Sequence, residues 1–211
     1  MMKIWGRKTS SNVMKVLWLC DELGLPFERI DAGGAFGRTK EPFYLAMNPN
    51  SVVPTLEEED GYTLWESNVI LRYLVASRAA GTPLGNRLHP TAPRARADVE
   101  RWMDWQQTAL NGPMVTVFFT WVRLKPEERD MAAHDKALAQ LTHLLGMVEK
   151  QLAGRDYVCG DFSLADICLG ITIHRWFAMP ITRPELPNLA ALYERLKQHP
   201  GYMAHVALPL S

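Results

Sequence analysis

The turn Thr9-Ser10-Ser11-Asn12 brings three hydroxyls and one amide together immediately before an apolar helical pattern. Such side chains are preferred at helix N-termini, where they accept a hydrogen bond from a free N–H group. The same groups can instead donate to a bound thiol, whose pKa is near ~8.5 when it is free. A donated hydrogen bond and a helix N-terminus both favour the thiolate. The turn is therefore a candidate for helix capping and for thiol activation.

Two further pairs of residues could hold an extended, charged peptide. Val53-Pro54 leads into a short apolar strand, and Glu66-Ser67 opens the next helical pattern after an acidic turn. Free N–H groups at a helix start can capture a carboxylate, and the Ser67 hydroxyl can add a hydrogen bond to it. Glu66 can pair with an ammonium group. Glu66 and Ser67 could also serve only to cap the helix, and capping is compatible with this binding role.

The composition excludes several classes of protein. The chain has 211 residues, of which 47% are hydrophobic and 22% charged, and its net charge is zero. A chain with no net positive charge has no overall electrostatic attraction to nucleic acid or to an anionic membrane. The chain has no apolar run of about 18 residues, and its first residues do not resemble a signal peptide. We therefore expect a cytoplasmic protein that has neither nucleic acid nor membrane as a partner.

The cysteines predict neither disulfides nor a metal. Cys20, Cys159 and Cys168 form no CxxC pair, and their number is odd. Both features argue against a disulfide framework and against zinc. Cys20 falls on the apolar face of the first helical pattern, and burial there would raise the pKa of its thiol and make it inert.

Hydrophobic periodicity divides the chain into a mixed part and a helical part. The first 80 residues predict strands at 2–6, 26–30, 53–57 and 61–65, helices at 12–23 and 67–77, and a glycine-rich loop at 32–37. Residues 79–93 are rich in Gly and Pro and are interpreted as a linker. Beyond them the pattern predicts helices at 94–110, 114–124, 127–152, 164–178 and 188–198, with a break at Gly112-Pro113. Ser163 and Asp166 fit a capping box at the start of the 164–178 helix, so Asp166 is interpreted as structural.

These motifs resemble the glutathione-binding half of cytosolic glutathione transferases, and the resemblance covers nearly the whole chain. It implies a thioredoxin-like α/β domain over residues 1–80 and an α-helical bundle domain over residues 90–211. In the family the proline that matches Pro54 is cis, and the residue before it, here Val53, pairs its backbone with the cysteinyl part of glutathione. Glu66 and Ser67 match the residues that hold the γ-glutamyl group.

One departure from the family pattern concerns glutathione's other carboxylate. Many members carry Lys or Arg where this chain has Val52, and a basic residue there can contact a carboxylate of glutathione. Lys40 is the candidate to replace that contact.

Relatives disagree about which residue of the turn faces the sulfur. Theta-like and delta-like classes place a catalytic serine four residues before a basic residue, which points to Ser11 with Lys15. Zeta-like proteins with a Ser-Ser pair use the first serine, here Ser10, and Nu-like bacterial proteins use an Asn that matches Asn12. All three residues remain candidates.

The resemblance implies glutathione S-transferase activity, as in detoxification: the thiolate of glutathione, a co-substrate, attacks an electrophilic carbon of a hydrophobic small molecule. No metal is implied. Met114 and Phe118 are the candidates for the second-substrate site. Relatives are homodimers, and Asp104 is a candidate to reach the partner's glutathione.

Three alternatives share this fold. One is a glutathione-dependent isomerase of a small diacid, for which Arg175 would supply positive charge. Another is a disulfide reductase that uses two glutathiones. The third is a non-catalytic protein that binds hydrophobic ligands.

Overall fold

The computed structural model of this chain describes residues 1–210, and the first part is built on a four-stranded sheet. Its strands are β1 (Met2–Trp5), β2 (Phe27–Ile30), β3 (Thr55–Glu57) and β4 (Thr63–Trp65). The sheet order is β2-β1-β3-β4, in which β1 and β2 are parallel and the other pairs antiparallel. This mixed sheet confirms the expected thioredoxin-like fold, and each strand lies within two residues of its predicted bounds.

The helices of the first part are α1 (Ser11–Glu22), α2 (Pro42–Met47) and α3 (Ser67–Arg78). The left-handed Gly24, at φ 62°, ends α1, and the N–H of the next residue, Leu25, donates to the Cys20 carbonyl. Such a glycine satisfies the last carbonyls of a helix at no steric cost. The short α2 was not predicted, because six residues do not span two turns of a periodic pattern.

The second part is helical. Its elements are α4 (Pro83–Leu88), α5 (Pro93–Trp105), a π-helical turn (Gln106–Leu110), α6 (Asn111–Val122), a 3₁₀ turn (Pro126–Glu128), α7 (Met131–Gln151), α8 (Leu164–Ala178), α9 (Pro187–Leu196) and α10 (Pro200–His205). The predicted bounds of α8 are confirmed, whereas α10 was missed.

The segment predicted as a linker contains α4. The Thr82 hydroxyl accepts a hydrogen bond from the Gly85 N–H at 2.9 Å, and Pro83 occupies the first helical position. A side chain at Gly85 would lie 2.0 Å from the Ala79 carbonyl oxygen. The Gly and Pro residues that suggested a linker therefore start a helix and allow close packing.

The predicted break at Gly112-Pro113 is wrong, because α5 continues through the π-helical turn into α6. Proline removes a backbone donor and crowds the preceding turn. The wider π-helical turn ends at Leu110 and includes Ala109, four residues before Pro113, where the ring would crowd a regular α-helix, so the helix continues through the proline.

The two parts share one continuous core around α8. Trp18 of α1 is fully buried and packs edge-on against Tyr202 of α10. A side chain at Gly170 would lie 2.8 Å from the Trp18 ring. Since α1 and α8 pack this closely, the division into domains at 1–80 and 90–211 stays a prediction.

The capping box at the start of α8 is confirmed. Asp166 is fully buried and accepts hydrogen bonds from the N–H and hydroxyl of Ser163, at 2.9 and 3.0 Å, and from the Val158 N–H at 3.0 Å. Burial raises the pKa of Asp166 to about 6, although these hydrogen bonds act in the opposite direction. Asp166 thus joins the helix start to the preceding loop.

We predict that Asp166→Ala lowers the melting temperature. The change leaves the buried N–H groups of Ser163 and Val158 without an acceptor, at about 1–3 kcal/mol for each. Differential scanning calorimetry would measure the shift. Asp161→Ala, at an exposed position of the same loop, is the control. An Asp166→Ala protein that melts like the control would contradict the structural role.

Candidate functional site

The N-terminus of α1 presents polar groups that the helix does not use. Ser10 is the N-cap residue and is 8% exposed, yet its side chain makes no capping hydrogen bond. Its own N–H donates to the Arg7 carbonyl at 3.1 Å, and its carbonyl accepts from the Met14 N–H. The first-turn N–H groups have no partner within a helix. Ser10 therefore does not cap α1 through its side chain.

Close packing holds this turn beside the Val53 loop. A side chain at Gly6 would lie 2.4 Å from the Val13 Cγ2 atom. At Gly33, whose φ is 77°, it would lie 3.2 Å from the Val53 Cγ1 atom. At Gly6 an added side chain would also lie 3.3 Å from the Val53 Cβ atom, so Gly6 allows the segment after β1 to approach both α1 and Val53, and Gly33 allows the loop after β2 to approach Val53.

A buried hydrogen-bond network fixes the loop before β3. The carbonyl of Val52 accepts from the Tyr44 hydroxyl at 2.7 Å and from the Asn48 side-chain amide at 2.9 Å. Both of these side chains also contact the Thr55 hydroxyl. The Val53–Pro54 peptide bond is cis, as the resemblance implied. Among the described residues, the backbone of Val53 has no hydrogen-bond partner, so it can pair with a ligand.

The N-terminus of α3 has an unusual backbone. Glu66 is its N-cap residue, with φ 74° and ψ 108°, and its side chain makes no capping hydrogen bond. A left-handed conformation costs a non-glycine residue about 1–3 kcal/mol and is often found at functional sites. Ser67 follows as the first helical residue and is 4% exposed. Its neighbour Asn68 donates to the Met103 carbonyl of α5 at 3.0 Å.

Lys15 connects the two helix starts to the second part of the protein. It is 1% exposed, and its ammonium donates to the Gln106 side chain at 2.9 Å and to Asn68 at 3.4 Å. Burial lowers the pKa of Lys15, which the nearby Cys168 and Glu66 partly counteract. Lys15 thus orients α1 and α3 and does not face the site. Asn68 and Gln106 were not predicted from the sequence, since neither belongs to a motif.

One cleft brings the residues of the α1 turn together with the second part of the protein. We call it the Ser10 cleft. Its cavity volume is about 400 Å³, and its lining includes Ser10, Ser11, Asn12, Val53, Val115, Phe118, Phe119, Arg7, Arg123 and Arg175. It therefore places polar groups of a helix start opposite apolar and cationic side chains.

Other candidates lie outside the lining of this cleft. Met114 is 1% exposed and belongs to the core, whereas Val115 faces the cleft because neighbouring residues of a helix point in different directions. Lys40 is exposed, and Pro54 is buried at the start of β3. Asp104 is largely exposed and forms an ion pair with Arg72 at 2.7 Å.

The cysteines have unreactive surroundings. Cys20 and Cys168 are buried, and Cys159 is partly exposed. Burial raises the pKa of Cys20 and Cys159 to about 12 and that of Cys168 to about 11. Almost no thiolate therefore forms on these residues at neutral pH. Residues 1–210 contain no cluster of three metal-ligating side chains and no helix suited to crossing a membrane.

Comparison with known proteins identifies the family. Residues 1–76 match the model of the glutathione S-transferase N-terminal domain, and residues 113–200 match that of the C-terminal domain. The chain is 38% identical to glutathione S-transferase GstB of Escherichia coli, over the full length of both proteins. It is 32% identical to glutathione S-transferase 3 of Zea mays, over 99% of this chain and 95% of that protein.

A solved structure is similarly close. The theta-class glutathione S-transferase of Xanthomonas axonopodis pv. citri, with glutathione bound, superposes with a TM-score of 0.92 at 44% identity, and the match covers 100% of this chain and 99% of that chain. The fold described above and these matches thus define a transferase. The chain belongs to the glutathione S-transferase family.

Proposed function

We propose that this protein binds glutathione beside the Ser10 cleft and transfers its thiolate to an electrophilic carbon of a hydrophobic compound. The observation that carries the proposal is the Ser10 hydroxyl, which lines the cleft at a helix N-terminus and makes no capping hydrogen bond. A hydroxyl placed in this way can donate to a sulfur anion.

Glutathione would lie along the loop and the start of α3. The unpaired backbone of Val53 would bind the cysteinyl part, which places the sulfur near Ser10. The start of α3 would hold the γ-glutamyl group, whose carboxylate meets Ser67 and whose ammonium meets Glu66. Lys40, exposed beside the loop, would pair with the glycyl carboxylate. This placement is supported by the contacts of the loop and by the free helix start.

The proposed mechanism is stabilisation of the thiolate without a general base. The thiol proton passes to solvent, the sulfur forms a bond to carbon, and the leaving group departs with its electron pair. Lowering the thiol pKa by about two units corresponds to roughly 2.7 kcal/mol of preferential stabilisation of the anion. The Ser10 hydroxyl and the first-turn N–H groups are suited to supply it.

The second substrate would occupy the wall of the cleft formed by the second part of the protein. Val115, Phe118 and Phe119 supply apolar surface there. A smaller cavity of about 220 Å³, lined by residues that include Met14 and Ile171, adjoins the cleft at Phe118. Both spaces suit a hydrophobic molecule of modest size.

We also propose that the protein is a cytoplasmic homodimer. Free cysteines are typical of a reducing compartment. Phe43, Trp65 and Val69, on the contacting elements α2, β4 and α3, are each about 40% exposed, and exposed apolar groups of this kind often mark an interface. Asp104 would face the partner's glutathione in such a dimer.

Replacing Ser10 tests the proposal directly. We expect Ser10→Ala to lower kcat/KM for glutathione and chlorodinitrobenzene by roughly ten- to hundredfold, because a hydrogen bond to a charged group is lost. Ser11→Ala is the matched control and should retain most of the activity, with melting temperatures reported for both. Full activity of Ser10→Ala, or a larger loss for Ser11→Ala, would contradict the role of Ser10. A folded wild-type protein without turnover would favour the non-catalytic alternative.

A cysteine-free protein separates attack by glutathione from chemistry at a protein thiol. We expect the combined replacement Cys20→Ala, Cys159→Ser and Cys168→Ser to preserve turnover per folded molecule, because these thiols are protonated and line neither cavity of the site. Steady-state kinetics would measure it, with circular dichroism to confirm folding. Loss of all activity in the folded variant, or a glutathione adduct on Cys20 seen by mass spectrometry, would contradict the mechanism. Reduction of a small disulfide by two glutathiones would survive this test and needs a separate assay.

A further inference from the structure

The Ser10 cleft contains more positive charge than a site for a neutral molecule requires. Arg7 precedes the Ser10 turn, Arg123 follows α6, and Arg175 belongs to α8, yet all three line the same cleft. They are distant in sequence, and the fold alone brings them together. Their shared position beside Ser10 suggests a role in recognition.

Within residues 1–210, these three arginines have no acidic partner. None of them forms an ion pair with a carboxylate of residues 1–210. Arg175 is only 7% exposed, and its guanidinium carbon lies 3.9 Å from the centre of the Phe118 ring. A buried guanidinium that finds no counter-charge among residues 1–210 is costly, and an anion in the cleft would relieve that cost.

The electrostatics point in the same direction. Burial, with smaller contributions from the positive charges of Arg123 and Arg7, lowers the pKa of Arg175 to about 10. Burial and the charge of Arg123 likewise lower the pKa of Arg7. The charge of Arg123 thus disfavours the protonated state of both Arg7 and Arg175, as expected for like charges held together.

We infer that the second substrate carries a carboxylate, which Arg175 and Arg123 bind while the electrophilic carbon faces Ser10. The inference rests on the proposed transferase function and specifies its substrate class. Both arginines belong to the helical part of the protein, on the wall that contains Phe118 and Phe119. Arg175 and Phe118 also line the smaller apolar cavity. An amphipathic acid fits this arrangement, since its apolar body can enter that cavity while its carboxylate meets the guanidinium groups.

Glutathione itself has carboxylates, so the binding of each substrate must be measured separately. Arg7 packs over Gly34, where a side chain would lie 3.1 Å from its Cδ atom, on the side of the cleft nearer the Val53 loop. Arg7 is therefore the less selective probe. Arg123, which is exposed, and Arg175, which is buried, are the residues to replace.

A matched pair of electrophiles tests the inference. The acid is a chloronitrobenzoate with chlorine para to the carboxylate and ortho to the nitro group, and the neutral control is the corresponding chloronitrobenzamide. In both, the thiolate forms a carbon–sulfur bond and chloride leaves with the electron pair. Dividing each kcat/KM by the uncatalysed rate with glutathione removes the difference in intrinsic reactivity. We expect the wild-type protein to favour the acid by roughly tenfold or more.

Arginine variants identify the source of this preference. Arg123→Gln and Arg175→Gln should each reduce the ratio of acid to amide and raise the KM for the acid more than the KM for glutathione. Arg175→Lys should restore part of the ratio. Arg101→Gln, at an exposed position of α5 whose ion pair with Asp98 lies outside the cleft, should leave the ratio unchanged. Because Arg123 is exposed, its variant remains informative even if the Arg175 variants do not fold.

The possible outcomes are distinguishable. Equal corrected kcat/KM values for the acid and the amide in the wild-type protein would overturn the inference. An unchanged ratio of these two values in the Arg123 and Arg175 variants would also overturn it. An increase confined to the KM for glutathione would assign the arginines to glutathione and also overturn it. If the protein turns over the amide but not the acid, this inference fails alone. If it neither binds glutathione nor turns over either compound, the proposed transferase function fails with it.

Discussion

The structure of the site depends on the close approach of the β1–α1 turn to the Val53 loop. A side chain at Gly6 would lie 2.4 Å from the Val13 Cγ2 atom of α1 and 3.3 Å from the Val53 Cβ atom, so this glycine allows the turn to approach the loop. This contact places the free N-terminus of α1 next to an unpaired extended backbone. Neither feature would bind a peptide thiol alone, since one supplies the positive field and the other fixes the position of the sulfur.

Buried polar contacts of Lys15 fix the positions of the helices that surround the site. Lys15 joins α1 to Asn68 at the start of α3 and to Gln106 in the π-helical turn. A buried ammonium is costly unless its donors are satisfied, so these contacts restrict the relative positions of three elements. The α1 turn, the start of α3 and the helical wall of the cleft are thereby positioned by one network. Replacing Gln106 would consequently alter the positions of the N-termini of both α1 and α3.

Much of the fold could be predicted from the sequence, because long periodic segments such as α8 have a strong signal. Short helices were harder, since α4 and α10 span only one to two turns and begin with proline. Pro113 was interpreted as a break because the sequence does not indicate the π-helical turn that accommodates it. Local patterns thus predicted the elements but not the distortions that connect them.

For the candidate site, the sequence could predict the residues in local motifs but not those that only the fold brings together. The Ser10 turn and Val53 could be proposed from the sequence, because hydroxyls before a helix and an X-Pro pair are local signals. The proposal of Ser10 over Ser11 and Asn12 depends on the position of the N-cap, which a shift of one residue in an alignment obscures. Arg7 and Arg123 were missed, since an isolated arginine has no motif and only the fold shows that it shares a cleft with Arg175.

The central claim is that the α1 N-terminus stabilises the thiolate of bound glutathione. The most direct measurement is an ultraviolet absorbance titration of the thiolate in the complex of the protein with glutathione, across pH and without a second substrate. Stabilisation by the α1 N-terminus predicts that the bound thiol has a pKa about two units below the value of ~8.5 for a free thiol, and that Ser10→Ala returns the pKa toward the free value. A bound thiol that titrates like free glutathione would contradict it.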